Sequence, residues 1–273
     1  MVRHSLGGLF LSHHSRKRST LSMPRFCANL TLLFNEVPFT ERFGRARQAG
    51  FEGVEVLFPG ALSPLQISEQ LKAADLSLAL FNCPVDPPDL DFFGSAANPD
   101  RVNEFKRELE RTLEFAKVLR PDFVHIMAGR TSAPNWRAVF CENLKYATRQ
   151  APWQAFTIEP INTADMPRYA LSDFDEALSI LDEVDAPNLF LQFDTYHAYK
   201  ITGDIDSAWG KVASRAAHIQ IGGIPDRHEP TNDGFNYGSF FDGLNRVGFK
   251  GWVSGEYHPK GQTEDGLSWL PPL

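Results

Sequence analysis

Cysteine is scarce in this chain: Cys27, Cys83 and Cys141 are the three among 273 residues, with no CxxC pair. That excludes a disulfide framework or a zinc knuckle and leads us to expect a reducing compartment, the cytoplasm. Long hydrophobic runs are missing too; nothing approaches the roughly 18 consecutive apolar residues of a membrane span. No GxGxxG follows the first strand-like run and no GxxxxGK[ST] occurs, so the common phosphate-cradling loops are absent. Basic residues are outnumbered, 27 Lys and Arg against 34 Asp and Glu. The net charge of −7 has the wrong sign for a general nucleic-acid binder.

Acidic residues are absent from the first 22 positions, which hold Arg3, Arg16, Lys17 and Arg18. The apolar run there, Leu9 to Leu11, falls short of the roughly 7–15 residues of a secretory h-region. Residues 1–22 read as an extension: a disordered tail, a transit-like peptide, or upstream sequence with Met23 as the true start. His4, His13 and His14 within it are set aside as site candidates.

From Met23 onward one pattern recurs. Short β-branched or aromatic runs (26–30, 53–57, 76–82, 123–127, 155–159, 189–194, 217–221 and 252–256) alternate with amphipathic helical stretches. Asn98-Pro99 reads as a helix start, followed by Val102, Phe105, Leu109, Leu113 and Ala116 at spacings of three and four. Ser172 with Asp175 resembles a capping box ahead of Phe174, Ala177, Leu178 and Leu181. Tyr237, Phe240, Phe241, Leu244 and Val247 form a further stripe, closed by Gly248. A short last helix is expected over 264–270. Eight strand–helix units in one undivided stretch, 23–273, predict an α/β fold, a single-domain (β/α)8 TIM barrel.

Active sites of such barrels lie at the C-terminal ends of the strands. Here strand five ends in Glu159, strand six in Asp194 and strand eight in Glu256, while strand seven carries His218-Ile-Gln220. One carboxylate at a strand end means little, because the following helix N-terminus favours an anion. Three carboxylates and an amide on adjacent strands would repel one another unless a cation sat among them. Oxygen donors of this kind suit Mg²⁺ or Mn²⁺. Two facing carboxylates could also move protons on a bound substrate.

At these residues the chain resembles the hydroxypyruvate isomerase family of the xylose-isomerase-like barrels. The likeness rests on the opening Arg25-Phe-Cys-Ala-Asn-Leu30, on Gly53 to Pro59, and on Glu159-Pro-Ile-Asn162. It continues in Asp194-x-Tyr-His197, His218-x-Gln220-Ile, Gly255-Glu-Tyr257 and the ending Thr263 to Trp269. The resemblance implies that Glu159 and Glu256 are a catalytic pair passing a proton between adjacent carbons. It implies a divalent ion held by Glu159, Asp194, Gln220 and Glu256, and substrate oxygens held by His197 and Arg227. It also implies a small 2-oxo acid substrate, hydroxypyruvate, converted to tartronate semialdehyde in glyoxylate or sugar-acid metabolism. Arg227 is the natural bidentate clamp for the substrate carboxylate. One departure is Arg227-His228-Glu-Pro, where the family usually has Gly after the Arg; His228 either joins the site or caps the loop. The chain also ends soon after the last helix, which leaves that helix open to weak packing.

Three further residues are candidate substrate contacts: Asn82 at the end of strand three, His125 on strand four, and Asp165, six residues after Glu159, where the resemblance to sugar isomerases implies an acidic substrate contact and loop capping is the alternative. The nearest alternative keeps the mechanism and takes a four-carbon 2-oxo-tetronate. A lyase acting on a cyclic polyol, a multi-zinc endonuclease and a sugar-binding barrel are more distant. Related barrels often pair through helical faces, so a homo-oligomer stays open. A chain beginning at Met23 should keep the melting temperature and activity of the longer one; loss of soluble protein on that truncation would show that the extension packs on the barrel.

Overall fold

The structure is a computed structural model that describes residues 24–87 and 91–271. The expectation for residues 1–22 lies outside the described residues. Eight parallel strands form one closed barrel in sequence order: β1 (Arg25–Asn29), β2 (Gly53–Val56), β3 (Ser77–Cys83), β4 (Phe123–Ile126), β5 (Ala155–Ile158), β6 (Leu189–Asp194), β7 (Ala216–Ile221) and β8 (Trp252–Gly255). β8 pairs back onto β1, with Arg25 beside Trp252 and Ala28 beside Gly255. Closure leaves no exposed sheet edge.

Helices α1 (Phe39–Gln48), α2 (Pro64–Ala74), α3 (Val102–Leu119), α4 (Trp136–Gln150), α5 (Phe174–Val184), α6 (Thr195–Thr202), α7 (Ile205–Val212) and α8 (Tyr237–Val247) link the strands. Each buries one stripe against the barrel. In α3 it is Phe105, Leu109, Thr112, Phe115, Ala116 and Leu119, at helical spacing. Asn98 caps a short 3₁₀ turn that leads into α3, accepting from the Asp100 amide.

Three local readings are corrected. The N-cap of α5 is Asp173 rather than Ser172: its backbone is extended and its Oδ1 accepts from Glu176 N at 2.8 Å. On α8, Tyr237, Phe240, Phe241 and Leu244 are buried, but Val247 in the last turn is 74% exposed. Gly248 ends that helix at φ 67°, a left-handed conformation that glycine adopts without strain. The closing segment is 3₁₀ rather than α, over Thr263–Trp269, and it is firmly packed. Trp269 meets Phe26 and Phe51 edge-on or tilted, each at 6.1 Å, and its indole N–H donates to the Tyr257 hydroxyl at 3.0 Å.

The barrel interior is layered. At the N-terminal end Cys27, Ala79 and Trp252 make an apolar plug against Phe123. Arg25 stacks over the Trp252 indole at 4.1 Å, and Trp252 Nε1 donates to Asp122 at 2.6 Å. Gly53 is required beside it, since a Cβ there would fall 2.7 Å from the indole. Above the plug, where such barrels usually carry branched apolar side chains, the registers set polar residues side by side. Asn29 lies beside Glu55, Asn82 beside His125, His125 beside Thr157, and Gln192 beside His218. All of these are buried. The polar layer is the floor of the site.

The Asp173→Ala replacement should cost about 1 kcal/mol, the usual value of a lost N-cap, whereas Ser172→Ala should leave stability within a few tenths. Urea unfolding midpoints of the two variants check the reassigned cap.

Candidate active site

Glu159 and Glu256 are the first residues beyond β5 and β8, and Asp194 closes β6. Asp194 also caps α6: its Oδ1 accepts from the amides of Tyr196 at 2.7 Å and His197 at 3.3 Å. That leaves Oδ2 for Arg227, whose Nη2 lies 2.9 Å from it and 3.0 Å from Glu256 Oε1. Gln192 Nε2 donates to both Glu159 Oε2, at 3.0 Å, and Gln220 Oε1, at 2.6 Å. Glu159, Asp194, Gln220 and Glu256 thus converge at one end of the barrel. Glu159, Gln220 and Glu256 border a cavity of about 190 Å³ lined also by Asn82, His125, His197 and Arg227, with Leu57, Phe58, Phe93 and Met127 opposite; Asp194 stands behind it, against the lining Arg227.

Charge is crowded here. Burial, together with Asp194 and Glu256 nearby, pushes the Glu159 carboxyl well above the usual carboxylate range. Burial also raises Glu256, against the pull of Arg227 and with a push from Glu55 and Asp194. Burial opposes the charge of Arg227, but Glu256, Asp194 and Glu159 hold the guanidinium charged. Arg227 additionally lies over the Tyr196 ring at 5.0 Å.

The two histidines of the cavity are held neutral. Burial takes His125 down to about 3 and His197 down to about 4. His125 Nδ1 donates to Asn82 Oδ1 at 3.2 Å, so these two candidates support each other. The tautomer of His197 is fixed through Asn162. Asn162 Oδ1 accepts from the Asp165 amide at 2.9 Å, which turns its Nδ2 to His197 Nδ1 at 2.8 Å. Nδ1 is therefore the acceptor, and the proton sits on Nε2, 3.8 Å from Asp194 Oδ2. Asp165 itself is exposed and does not line the cavity. Its carboxylate accepts from Asn162 at 3.1 Å and from the Tyr196 hydroxyl at 2.7 Å. These bonds outweigh its partial burial and lower its pKa.

Arg227 sits on the loop after β7 with φ 58°, an uncommon left-handed backbone for a non-glycine residue. The loop is stitched to the one after β8: the His258 amide donates to Arg227 O at 2.8 Å, and His228 Nδ1 donates to His258 O at 2.7 Å. His228 thus caps the loop and is not among the cavity-lining residues.

The sequence profile of the xylose isomerase-like TIM barrel family matches residues 43–273. The chain belongs to that family. Its relatives include the 2-oxo-tetronate isomerase of Cupriavidus necator, 40% identical over 92% of this chain and 98% of that one. The hydroxypyruvate isomerase of Escherichia coli is 33% identical over 92% and 99%, and a putative hydroxypyruvate isomerase of Homo sapiens is 35% identical over 90% and 94%. A solved structure from Brucella melitensis described as an AP endonuclease, family 2, superposes with a TM-score of 0.87 at 40% identity, covering 91% of this chain and 98% of that one. By these relationships the protein is an isomerase of the xylose isomerase-like barrel family.

The donor set of this family member fits a cation. Glu159, Asp194 and His197 bring ligand atoms within 4.8 Å of one another. Glu256 Oε2 is buried with no hydrogen-bond partner. Three buried carboxylates face a single guanidinium at the mouth, an arrangement that a divalent ion would balance. Among the described residues no helix is long and apolar enough to cross a membrane.

Sequence reasoning missed the residues beneath the mouth. Glu55, Gln192 and Thr157 form the hydrogen-bonded floor together with His218, which the sequence pattern did set one layer below Gln220, and Asn162 orients His197. A signal existed in Glu55, a lone carboxylate inside the run Gly53-Val-Glu-Val56, because strands of a parallel barrel are buried and a charge there needs partners.

The Asn162 contact makes a direct prediction. ¹⁵N NMR of the protein at pH 7 should show His197 protonated on Nε2 and bare on Nδ1, and Asn162→Ala should release that preference.

Proposed function

We propose that the protein interconverts a short 2-oxo acid bearing an adjacent hydroxyl with its aldehyde isomer, passing one proton between neighbouring carbons with Glu159 and Glu256. Hydroxypyruvate and tartronate semialdehyde (2-hydroxy-3-oxopropanoate) are the pair read from the sequence. The observation that carries the proposal is the pair of buried glutamates, one after β5 and one after β8, both with raised affinity for protons and both lining one small cavity beside a guanidinium.

Glu159, Asp194, Gln220 and Glu256 are the residues that would hold Mg²⁺ or Mn²⁺. When bound, the ion supplies Lewis-acid stabilisation of negative charge on the substrate oxygens. We favour Gln220 over His197 as the fourth donor, because the tautomer set by Asn162 leaves His197 Nε2 a hydrogen-bond donor. That suits His197 for a substrate oxygen.

The proton balance is simple. One glutamate takes a proton from C3 of hydroxypyruvate, leaving an enediolate, and the other returns a proton to C2. The C3 hydroxyl proton moves to the C2 oxygen, which converts hydroxyketone to hydroxyaldehyde with no net change in composition. Burial raises the proton affinity of a carboxyl, the direction a general acid needs. Arg227 positions the substrate carboxylate; its Nε is buried with no partner in the protein. Asn82, His125 and His197 complete the polar wall.

A four-carbon 2-oxo-tetronate is the second reading, favoured by the 40% identity to a 2-oxo-tetronate isomerase against 33% to the hydroxypyruvate isomerase of Escherichia coli. A cavity of about 190 Å³ leaves room for either acid. Nucleic-acid hydrolysis is disfavoured by the net charge of −7. It is disfavoured too because Glu159, Asp194 and His197 are the one His/Cys/Asp/Glu ligand cluster among the described residues. The reading places the protein in the cytoplasm, in sugar-acid or glyoxylate metabolism, with residues 1–22 outside the functional barrel.

Steady-state isomerisation of hydroxypyruvate and of 2-oxo-tetronates, with and without EDTA, tests the proposal. Chelation should abolish turnover and added Mn²⁺ should restore it. Glu159→Gln and Glu256→Gln should each lower kcat by about 10²-fold or more, the scale of one lost acid–base group, while Mn²⁺ affinity falls less. Near-normal turnover by both variants with metal bound would overturn the two-glutamate mechanism.

A further inference from the structure

Glu55 is wholly buried on β2, one layer below the cavity, and takes no part in the proton transfer described above. Its carboxylate accepts three hydrogen bonds. Asn29 Nδ2 and Gln220 Nε2 meet Oε1 at 2.8 and 2.9 Å, and His218 Nε2 meets Oε2 at 2.7 Å.

The direction of these bonds is set from outside the network. The Thr31 amide, which can only donate, meets Asn29 Oδ1 at 3.0 Å. Asn29 must then offer Nδ2 to Glu55, so Glu55 Oε1 is an acceptor. Gln220 shares that oxygen and must face it with its own NH₂. The Gln220 carbonyl oxygen is thereby turned the other way, where it accepts from Gln192 Nε2. Gln192 Nε2 spends its other hydrogen on Glu159 Oε2, and Gln192 Oε1 accepts from Thr157 Oγ1 at 3.1 Å. A carboxamide has a donor end and an acceptor end of nearly the same shape, and only its partners decide which end faces a site.

The geometry points to Glu55 as the positioning residue that presents the Gln220 oxygen, and not its NH₂, to the cation position. Through Gln192 the same anchor holds the Glu159 carboxylate. Groups that orient the ligands of an ion commonly govern its affinity by about 10- to 100-fold. The inference rests on the proposed role of Gln220 as an ion-binding donor.

Calorimetric titration of the full-length protein with Mn²⁺ tests it without reference to turnover. Glu55→Met, similar in size and lacking the acceptor, should weaken Mn²⁺ binding by about tenfold or more. The same change made together with Gln220→Glu should not weaken Mn²⁺ binding relative to Gln220→Glu alone, because a carboxylate offers oxygen from either end and is relieved of the neighbouring Glu55 charge. A role confined to packing would weaken both backgrounds alike, and that result overturns the inference, as does undiminished Mn²⁺ affinity in Glu55→Met. If Glu55→Met does not fold, Glu55→Asp replaces it. That variant keeps the charge and withdraws the carboxylate by one methylene, and the same dependence on residue 220 is required. Absence of Mn²⁺ binding by the unmodified protein would overturn the metal reading itself, and the inference with it; Mn²⁺ binding that ignores residue 55 overturns the inference alone.

Discussion

Carboxylates forced together out of water are the constraint on which this barrel is organised. Glu55, Glu159, Asp194 and Glu256 are all buried, and Arg227 is the guanidinium that meets two of them. In a medium of low dielectric such a group is stable only where each oxygen has a donor or a cation. The donors come from one arc of the ring: Asn29 from β1, Gln192 from β6, His218 and Gln220 from β7, and the first amides of α6. The polar floor is thus the means by which an acidic mouth can exist above an apolar plug.

Much of the architecture was legible in the sequence because it depends on periodicity. All eight strand-like runs match observed strands to within a residue or so at each end. Burial on both faces gives barrel strands short apolar runs that stand out between helical stripes. The errors fell where chemistry of one residue decides the outcome. Ser172 and Asp173 are both good caps, and only the backbone conformation selects Asp173. Val247 continues a three-residue spacing but lies where α8 ends and its last turn faces solvent.

The candidate site was legible to a different degree. Carboxylates at strand ends are visible because barrel geometry says what those positions do, and the structure brings Glu159, Asp194, Gln220 and Glu256 together. Asp165 was drawn in by the resemblance to sugar isomerases, yet it faces outward and supports Asn162 and Tyr196. Glu55, Gln192 and Asn162 escaped notice because their task is orientation. That task exists only once partners from distant strands are in place, and Glu55 and Gln220 are 165 positions apart.

The two stitched loops after β7 and β8 divide the cavity between two halves of the chain. His258 and Arg227 are joined through the backbone, so the guanidinium and the neighbouring Glu256 are carried on one rigid piece. The wall facing them includes Leu57, Phe58, Phe93 and Met127, all from the first half. Those four side chains carry no charge and form no ion pair with Glu159, Asp194 or Glu256. On the proposed reading, lineages descending from such a barrel can therefore trade one substrate length for another by redrawing the first-half wall, while the half bearing the carboxylates stays as it is.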